Sequence, residues 1–242
     1  MSELSADRDV RAVVIAAKGP HFSVGLDLKA MAGLLSDGSG NTGEEESSQP
    51  PSMAARALAA RSNIVRLQQS ITSVANCPKP VIAAVHGYCI GGGVDLATAC
   101  DIRLASADAV FSVRETRVAI VADLGSLQRL PQIIGKGHLA ELAYTGKDIT
   151  AQRAQQIGLV NDVFADAPAT VEAAATLAAE IAANSPLAVQ GTKAVLNVSE
   201  ERTVAEGLNY VATWNAGFLQ SDDLVEAMSA FIAKRDPKFK GR

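Results

Sequence analysis

The sequence has few basic clusters, few aromatics and few metal-binding side chains, and each scarcity excludes something. Lys and Arg number 22 against 26 Asp and Glu, for a net charge of −4, and no Lys/Arg stripe with interleaved aromatics occurs. Nucleic acid as a main partner is therefore excluded, because phosphate binding needs clustered cations. Three histidines (His21, His86, His138) lie far apart, and three cysteines (Cys77, Cys89, Cys100) have no metal-like spacing. No zinc or other metal site is expected, and the thiols read as buried and structural in a reduced, cytoplasmic compartment. No apolar run is long enough to cross a bilayer, so no membrane partner is expected. The opening MSELSADRDVRAVV has no basic region followed by an apolar one, unlike a secretory signal.

What is present is an alternation of strand-like and helical segments over 242 residues. DVRAVVIAA (9–17) reads as a strand ending at a turn signal, and HFSVGLDLKAMAGLL as a tight glycine turn turning helical. Residues 36–52, rich in Gly, Ser, Glu and Pro, read as a mobile loop. Residues 53–77 have helical periodicity. VIAAVHGY (81–88) is a continuous apolar run of the kind buried on both faces of a parallel sheet. GGVDLATACD opens a helix, 101–113 and 158–165 read as strands, and LGSLQRLPQIIG and 138–146 as short helices. From 168 onward the chain is helical. The organisation expected is an α/β core over 1–167 and a helical region over 168–242.

Gly91, Gly92 and Gly93 stand between a buried strand and a helix start. Glycine is a poor helix former, so three in a row require a reason. At a helix start the first N–H groups have no helical partner and carry partial positive charge. Without side chains in the way, a ligand oxygen can approach them closely. G-x-x-x-x-G-K-[ST] is absent, and the glycine block that follows the buried strand does not read G-x-G-x-x-G, which argues against a nucleotide. Carboxylates follow instead: Asp95, Glu115 and Asp123. Carboxylates beside N–H donors suit proton transfer next to a carbonyl, with the donors holding an enolate oxygen. Each has a plainer reading. Asp95 favours the helix dipole, Glu115 pairs with Arg114 or Arg117 on the surface, and Asp123 caps the helix at LGSLQRL. His86 reads as core and Trp214 as packing or interface.

HFSVGLDL, CPKPVIAAVHGYCIGGGVDLATACDIRLAS, GSLQRLPQIIGK and TAQRAQQIGLVNDVF together resemble the crotonase (enoyl-CoA hydratase/isomerase) superfamily, over nearly the whole chain. Within it the likeness is greatest to the Δ(3,5)-Δ(2,4)-dienoyl-CoA isomerases. That rests on IGGGVDL with Asp, on RETRVAIVADLGSLQRLP, and on SPLAVQGTKAVL with VATWNAGFLQSDD. The resemblance implies a spiral of ββα units with a helical trimerisation region. The chain opens at what resembles the middle of the family's first unit, so the usual N-terminal strands are expected to be missing. It also implies an acyl-CoA thioester as substrate, coenzyme A being part of that substrate, and no other cofactor.

By position, the backbone N–H groups of Leu26 and Gly92 would form an oxyanion hole. Asp95, Glu115 and Asp123 would be the catalytic set: Asp123 takes a proton, Glu115 delivers one, and Asp95 tunes the others. Ser23, Val24, Gly25, Asp27 and Gly91 would contact substrate, and Lys240, with Phe239, would reach CoA on a neighbouring subunit. The implied assembly is a homotrimer or a dimer of trimers. Two alternatives stand beside the isomerase: an enoyl-CoA hydratase of β-oxidation using Asp95 and Glu115, and an inactive acyl-CoA-binding member.

Overall fold

The computed structural model describes residues 1–27, 52–200 and 202–242. A short helix α1 (Ser2–Ala6) precedes β1 (Val13–Ala16), and α2 (Met53–Ala75) follows. Next come β2 (Val81–Val85), β3 (Tyr88–Ile90), α3 (Gly92–Thr98), β4 (Ile102–Ser106) and β5 (Val110–Ser112). A 3-10 turn (Glu115–Val118) leads to α4 (Ser126–Thr145), β6 (Ile149–Thr150), α5 (Ala151–Gln156) and β7 (Asp162–Phe164). Four helices close the chain: α6 (Ala167–Ala182), α7 (Pro186–Ser199), α8 (Val204–Phe218) and α9 (Asp222–Ala233). The helical part expected within 28–35 and all but Ser52 of the loop expected over 36–52 lie outside the described residues.

Two sheets result, a parallel one in the order β1-β2-β4-β7 and a smaller one in the order β3-β5-β6. Two of the four runs expected to be single strands are each two, whereas 9–17 and 158–165 hold one strand apiece. VIAAVHGY breaks at Gly87, and 101–113 breaks at the turn Ala107–Ala109, where Ala109 N donates to Ser106 O. Gly87 has φ +54, and a Cβ there would stand 2.3 Å from Pro20 O, so only glycine makes this corner. Each break sends the second half of the run to the other sheet, which gives the ββα spiral its repeat.

The continuous apolar character of β2 is explained by its two faces. Val81, Ala83 and Val85 enter the main core, while Ile82 and Ala84 meet Ala174, Leu177 and Ile181 of α6. Complete burial of a side chain such as Ile82 contributes about 1.5–3 kcal/mol. Helix α6 begins where the helical region was expected, yet it packs as a layer on the parallel sheet. Its start is set by Asp166, whose side chain accepts from Ala169 N, with Pro168 just inside the helix. Helix α8 starts with a capping box, Thr203 and Glu206 satisfying each other's backbone. Helix α4 is kinked at Gly135 (φ 76, ψ 155), which is why its sequence reads as two short helices.

The three cysteines are free and buried. His86 is core, 7% exposed, with Nε2 donating to Gly19 O at 2.9 Å. Trp214 stacks on Phe218 with ring centroids 4.8 Å apart, and its indole lies against Gly191.

Candidate active site

The glycine turn sits at the end of β3. Gly91 (φ 55, ψ −119) donates to Ser112 O at 3.0 Å, which fastens the turn to β5. Its own carbonyl accepts from Val94 N at 2.7 Å and Asp95 N at 3.2 Å. Among the described residues the N–H groups of Gly92 and Gly93 meet no acceptor.

Residues 23–26 lie directly against this turn. Ser23 bridges to Cys89, with Ser23 N donating to Tyr88 O and Ile90 N to Ser23 O. Gly25 (φ +79) follows, and a Cβ there would stand 2.8 Å from Ile90 O and 3.2 Å from Gly92 N. The chain therefore needs glycine at 25 to pass close to Gly92. The N–H of Leu26 also meets no acceptor among the described residues. Val24, Leu26 and Asp27 have exposed side chains. Two unpartnered donors on facing segments, beside a turn stripped of side chains, can hold one oxygen that gains negative charge.

Asp95 is 1% exposed in the first turn of α3, and its Oδ1 accepts from Ser126 N at 2.6 Å. Burial pushes its carboxyl up from the usual range; the Ser126 N–H and the Arg129 charge pull it back down. Glu115 opens the 3-10 turn. Its Oε1 faces Gly91, 3.2 Å from where a Cβ would stand, and its enclosed Oε2 has no partner among the described residues. Burial, then the charges of Asp95 and Asp123, push Glu115 up toward the acid form. Asp123 is exposed on the loop before α4, and its carbonyl accepts from Gln68 Nε2 of α2 at 2.7 Å.

The plainer readings of these carboxylates fare differently. Glu115 pairs with neither neighbour: Arg114 pairs with Asp148, and Arg117 Nε donates to Thr145 O at 3.2 Å. Asp123 is not the helix cap, because α4 begins at Ser126 behind Gly125, and the cap acceptor comes from Asp95. Asp95 does occupy a first turn, and it caps a second helix as well.

Lys240 lies elsewhere within this chain. Its N–H donates to Asp223 Oδ1 at 2.7 Å, and Arg11 holds the tail through Phe239 O at 2.7 Å. Sequence reasoning passed over Gln68, Ser126 and Arg129, which hold the loop around Asp123. The two later residues stand in the quoted GSLQRL, but nothing in their type marks them; Gln68 sits in an ordinary helical pattern far upstream. Among the described residues no helix is long and apolar enough to cross a membrane, and no His/Cys/Asp/Glu group could hold a metal ion.

The family model described as enoyl-CoA hydratase/isomerase matches residues 1–242. The chain is 46% identical over 239 residues to the peroxisomal Δ(3,5)-Δ(2,4)-dienoyl-CoA isomerase of Arabidopsis thaliana, spanning 99% of this chain and 83% of that one. It is 45% identical over 238 residues to the mitochondrial enzyme of the same name from Homo sapiens, spanning 98% and 70%. Its fold is similar to the crystal structure of an enoyl-CoA hydratase from Bacillus anthracis, with TM-score 0.85, 32% identity, and coverage of 100% and 85%.

Proposed function

Because the chain belongs to the enoyl-CoA hydratase/isomerase family, we propose that it is an isomerase that converts a 3,5-dienoyl-CoA into the 2,4-dienoyl-CoA. The observation that carries this reading is the contrast between two carboxylates at one site. Glu115 is half-buried, has an enclosed Oε2 with no partner among the described residues and is pushed toward the acid form, whereas Asp123 stands exposed on a loop. An acid and a base side by side are what a double-bond shift requires.

Asp123 takes a proton from the carbon next to the thioester. The electron pair moves into the thioester carbonyl, giving a dienolate whose oxygen is held by the N–H groups of Leu26 and Gly92. Glu115 gives its proton to the far end of the conjugated system. Both double bonds have then moved one position toward the thioester with no net gain or loss of atoms, and exchange with solvent resets the two carboxyls. Each donor of the pair stabilises the dienolate by roughly 3–4 kcal/mol, the usual worth of such a donor. Asp95 carries charge beside Glu115 and keeps its proton affinity high.

Ser23, Val24, Gly25, Asp27 and Gly91 lie along the segments that would receive the thioester and its CoA. Helices α8 and α9 leave Val204, Leu208, Val225, Met228, Phe231 and Ile232 between 62% and 86% exposed. An apolar face of that kind supports burial against further copies, as a trimer or a dimer of trimers. Lys240 would reach CoA across that contact.

The deciding experiment presents the purified protein with a 3,5-dienoyl-CoA and, separately, a 2-enoyl-CoA. Bringing the diene into conjugation raises near-UV absorbance, whereas hydration removes the enoyl band. Turnover of the diene supports the isomerase. Turnover of the enoyl substrate alone overturns it in favour of a hydratase using Asp95 and Glu115. Reaction of neither, with CoA still binding, overturns it in favour of a binding protein.

A further inference from the structure

The loop that carries Asp123 is tied down at three of its peptide groups by side chains from three different helices. Gln68 Nε2, on α2, donates to Asp123 O at 2.7 Å. Arg129 Nη1, one turn into α4, donates to Leu124 O at 3.4 Å. Asp95 Oδ1, on α3, accepts from Ser126 N at 2.6 Å. Gly125 completes the set. It has φ +122, and a Cβ there would lie 2.0 Å from Arg129 Nη1, so the guanidinium fills the volume that any other residue would claim. The same loop lays Leu124 over the glycine turn, with Cδ1 3.9 Å from where a Gly92 Cβ would stand.

An exposed carboxylate on a glycine-containing loop has no rigidity of its own, and a base misplaced by about 1 Å can cost roughly 100-fold in rate. We propose that Gln68 and Arg129 are positioning residues that hold the backbone on either side of Asp123 and so aim its carboxylate at the carbon to be deprotonated. Both side chains act on the loop backbone, through Asp123 O and Leu124 O. The inference rests on the reading of Asp123 as the base. It also explains why a polar side chain of α2 is spent on a loop carbonyl, and why glycine stands at 125 rather than a residue that would cap α4 itself.

The test uses the full chain with Gln68→Met and Arg129→Met, which keep side-chain length and remove the donors, each made also in an Asp123→Asn background. With a 3,5-dienoyl-CoA, each single variant should lose roughly 10- to 100-fold in kcat while KM stays within about threefold. In the Asp123→Asn background the same changes should cost less than about twofold, because the group they position is gone. Wild-type kcat in both single variants overturns the proposal, and so do losses of equal size in both backgrounds, which mark a general structural role. If Asp123→Asn itself keeps full activity, the reading of the base falls. Amide exchange then decides the clamp alone: peptides spanning 121–128 should exchange faster in both variants, and wild-type exchange overturns it. Should Arg129→Met not fold, Arg129→Lys, whose single ammonium cannot span the same carbonyl and glycine, carries the same comparison.

Discussion

The Asp95 carboxylate and the Ser126 backbone meet at 2.6 Å, and through that bond a residue of α3 caps α4. Gly125, the residue in the capping position, has no side chain to offer. Asp95 therefore has a structural duty beside any chemical one: it registers the helix after Asp123 against the helix after the glycine turn. The two duties can be separated by substitution.

Asp95→Asn keeps an acceptor oxygen for Ser126 N–H, while Asp95→Ala leaves that N–H buried and unpaired. Chemical denaturation should show Asp95→Ala less stable by about 1–3 kcal/mol and Asp95→Asn by less than about 1 kcal/mol. Equal losses would mean that the charge, not the cap, is what the fold uses.

Glu115→Gln keeps the shape of the side chain and removes the proton to be given. Its kcat should fall by roughly 10²- to 10⁴-fold, the usual contribution of a general acid. Burial, then Asp95 and Asp123, raise the folded-state pKa of Glu115. The acid form is therefore present below that raised pKa and lost as pH rises through it, so the pH–rate profile should fall on its alkaline side. Asp95→Asn removes one like charge, lowers the Glu115 pKa and should move that alkaline limb to lower pH. The same linkage acts on stability: the ionised Glu115 is a burden above its folded pKa and none below its unfolded one. Glu115→Gln should thus melt higher than wild type at pH 8, with the gain gone below the ordinary carboxylate range. A profile whose alkaline limb ignores Asp95 would remove Glu115 as the proton donor.

The three glycines should fail in three different ways when replaced by alanine. At Gly93 a Cβ would stand 2.8 Å from Ser23 O and 2.9 Å from Ser23 Cβ, so Gly93→Ala should push the 23–26 segment away and lower both stability and activity. At Gly91 the φ of +55 and Glu115 Oε1 at 3.2 Å oppose any side chain, so Gly91→Ala should cost about 1 kcal/mol or more in backbone strain alone. At Gly92 the nearest atoms are 3.8 and 3.9 Å away, which is ordinary contact. Gly92→Ala should fold with its melting temperature nearly unchanged and still lose kcat/KM, because the methyl occupies the approach to the N–H. Thermal melts read beside kinetics check all three, and a fully active Gly92→Ala would remove Gly92 from the oxyanion hole.

The fold was legible to the extent that local pattern decides it. The apolar run at 81–85, the glycine block and the helical character from 168 onward each carry their signal in adjacent residues. What escaped was set by distant partners. The splitting of VIAAVHGY at Gly87 depends on Pro20 O crowding that corner, and β6, two residues long, exists only through its pairing with β5. The carboxylates were visible as residue types, but their states were not. Whether Glu115 pairs with Arg114 or stands alone depends on Asp148, which takes Arg114 away, and whether Asp123 caps α4 depends on Asp95 doing so first. Gln68 carries no local mark because its partner lies 55 positions further along the chain.

Lys193 of α7 is 6% exposed, and its ammonium donates to Asp101 Oδ2 at 2.6 Å and to Lys79 O at 3.1 Å. The same Asp101 oxygen accepts from Val81 N at 2.7 Å, so one carboxylate joins the helical region to the first residue of β2. Removing one member of a fully buried ion pair costs about 3–5 kcal/mol because the other is left without compensation. Asp101 keeps 28% of its side chain exposed and retains the Val81 N–H, so water and that donor offset part of the loss. Lys193→Met should therefore destabilise by about 1–3 kcal/mol in urea unfolding. The Lys193→Met/Asp101→Asn pair should lose less than the sum of the singles. None of these atoms belongs to the proposed chemistry, so kcat well below the melting temperature should stay within about twofold of wild type, as expected for a surplus-stability contact. A large kcat loss in folded Lys193→Met would instead show that the seating of α7 on β2 is transmitted through β3 to the glycine turn.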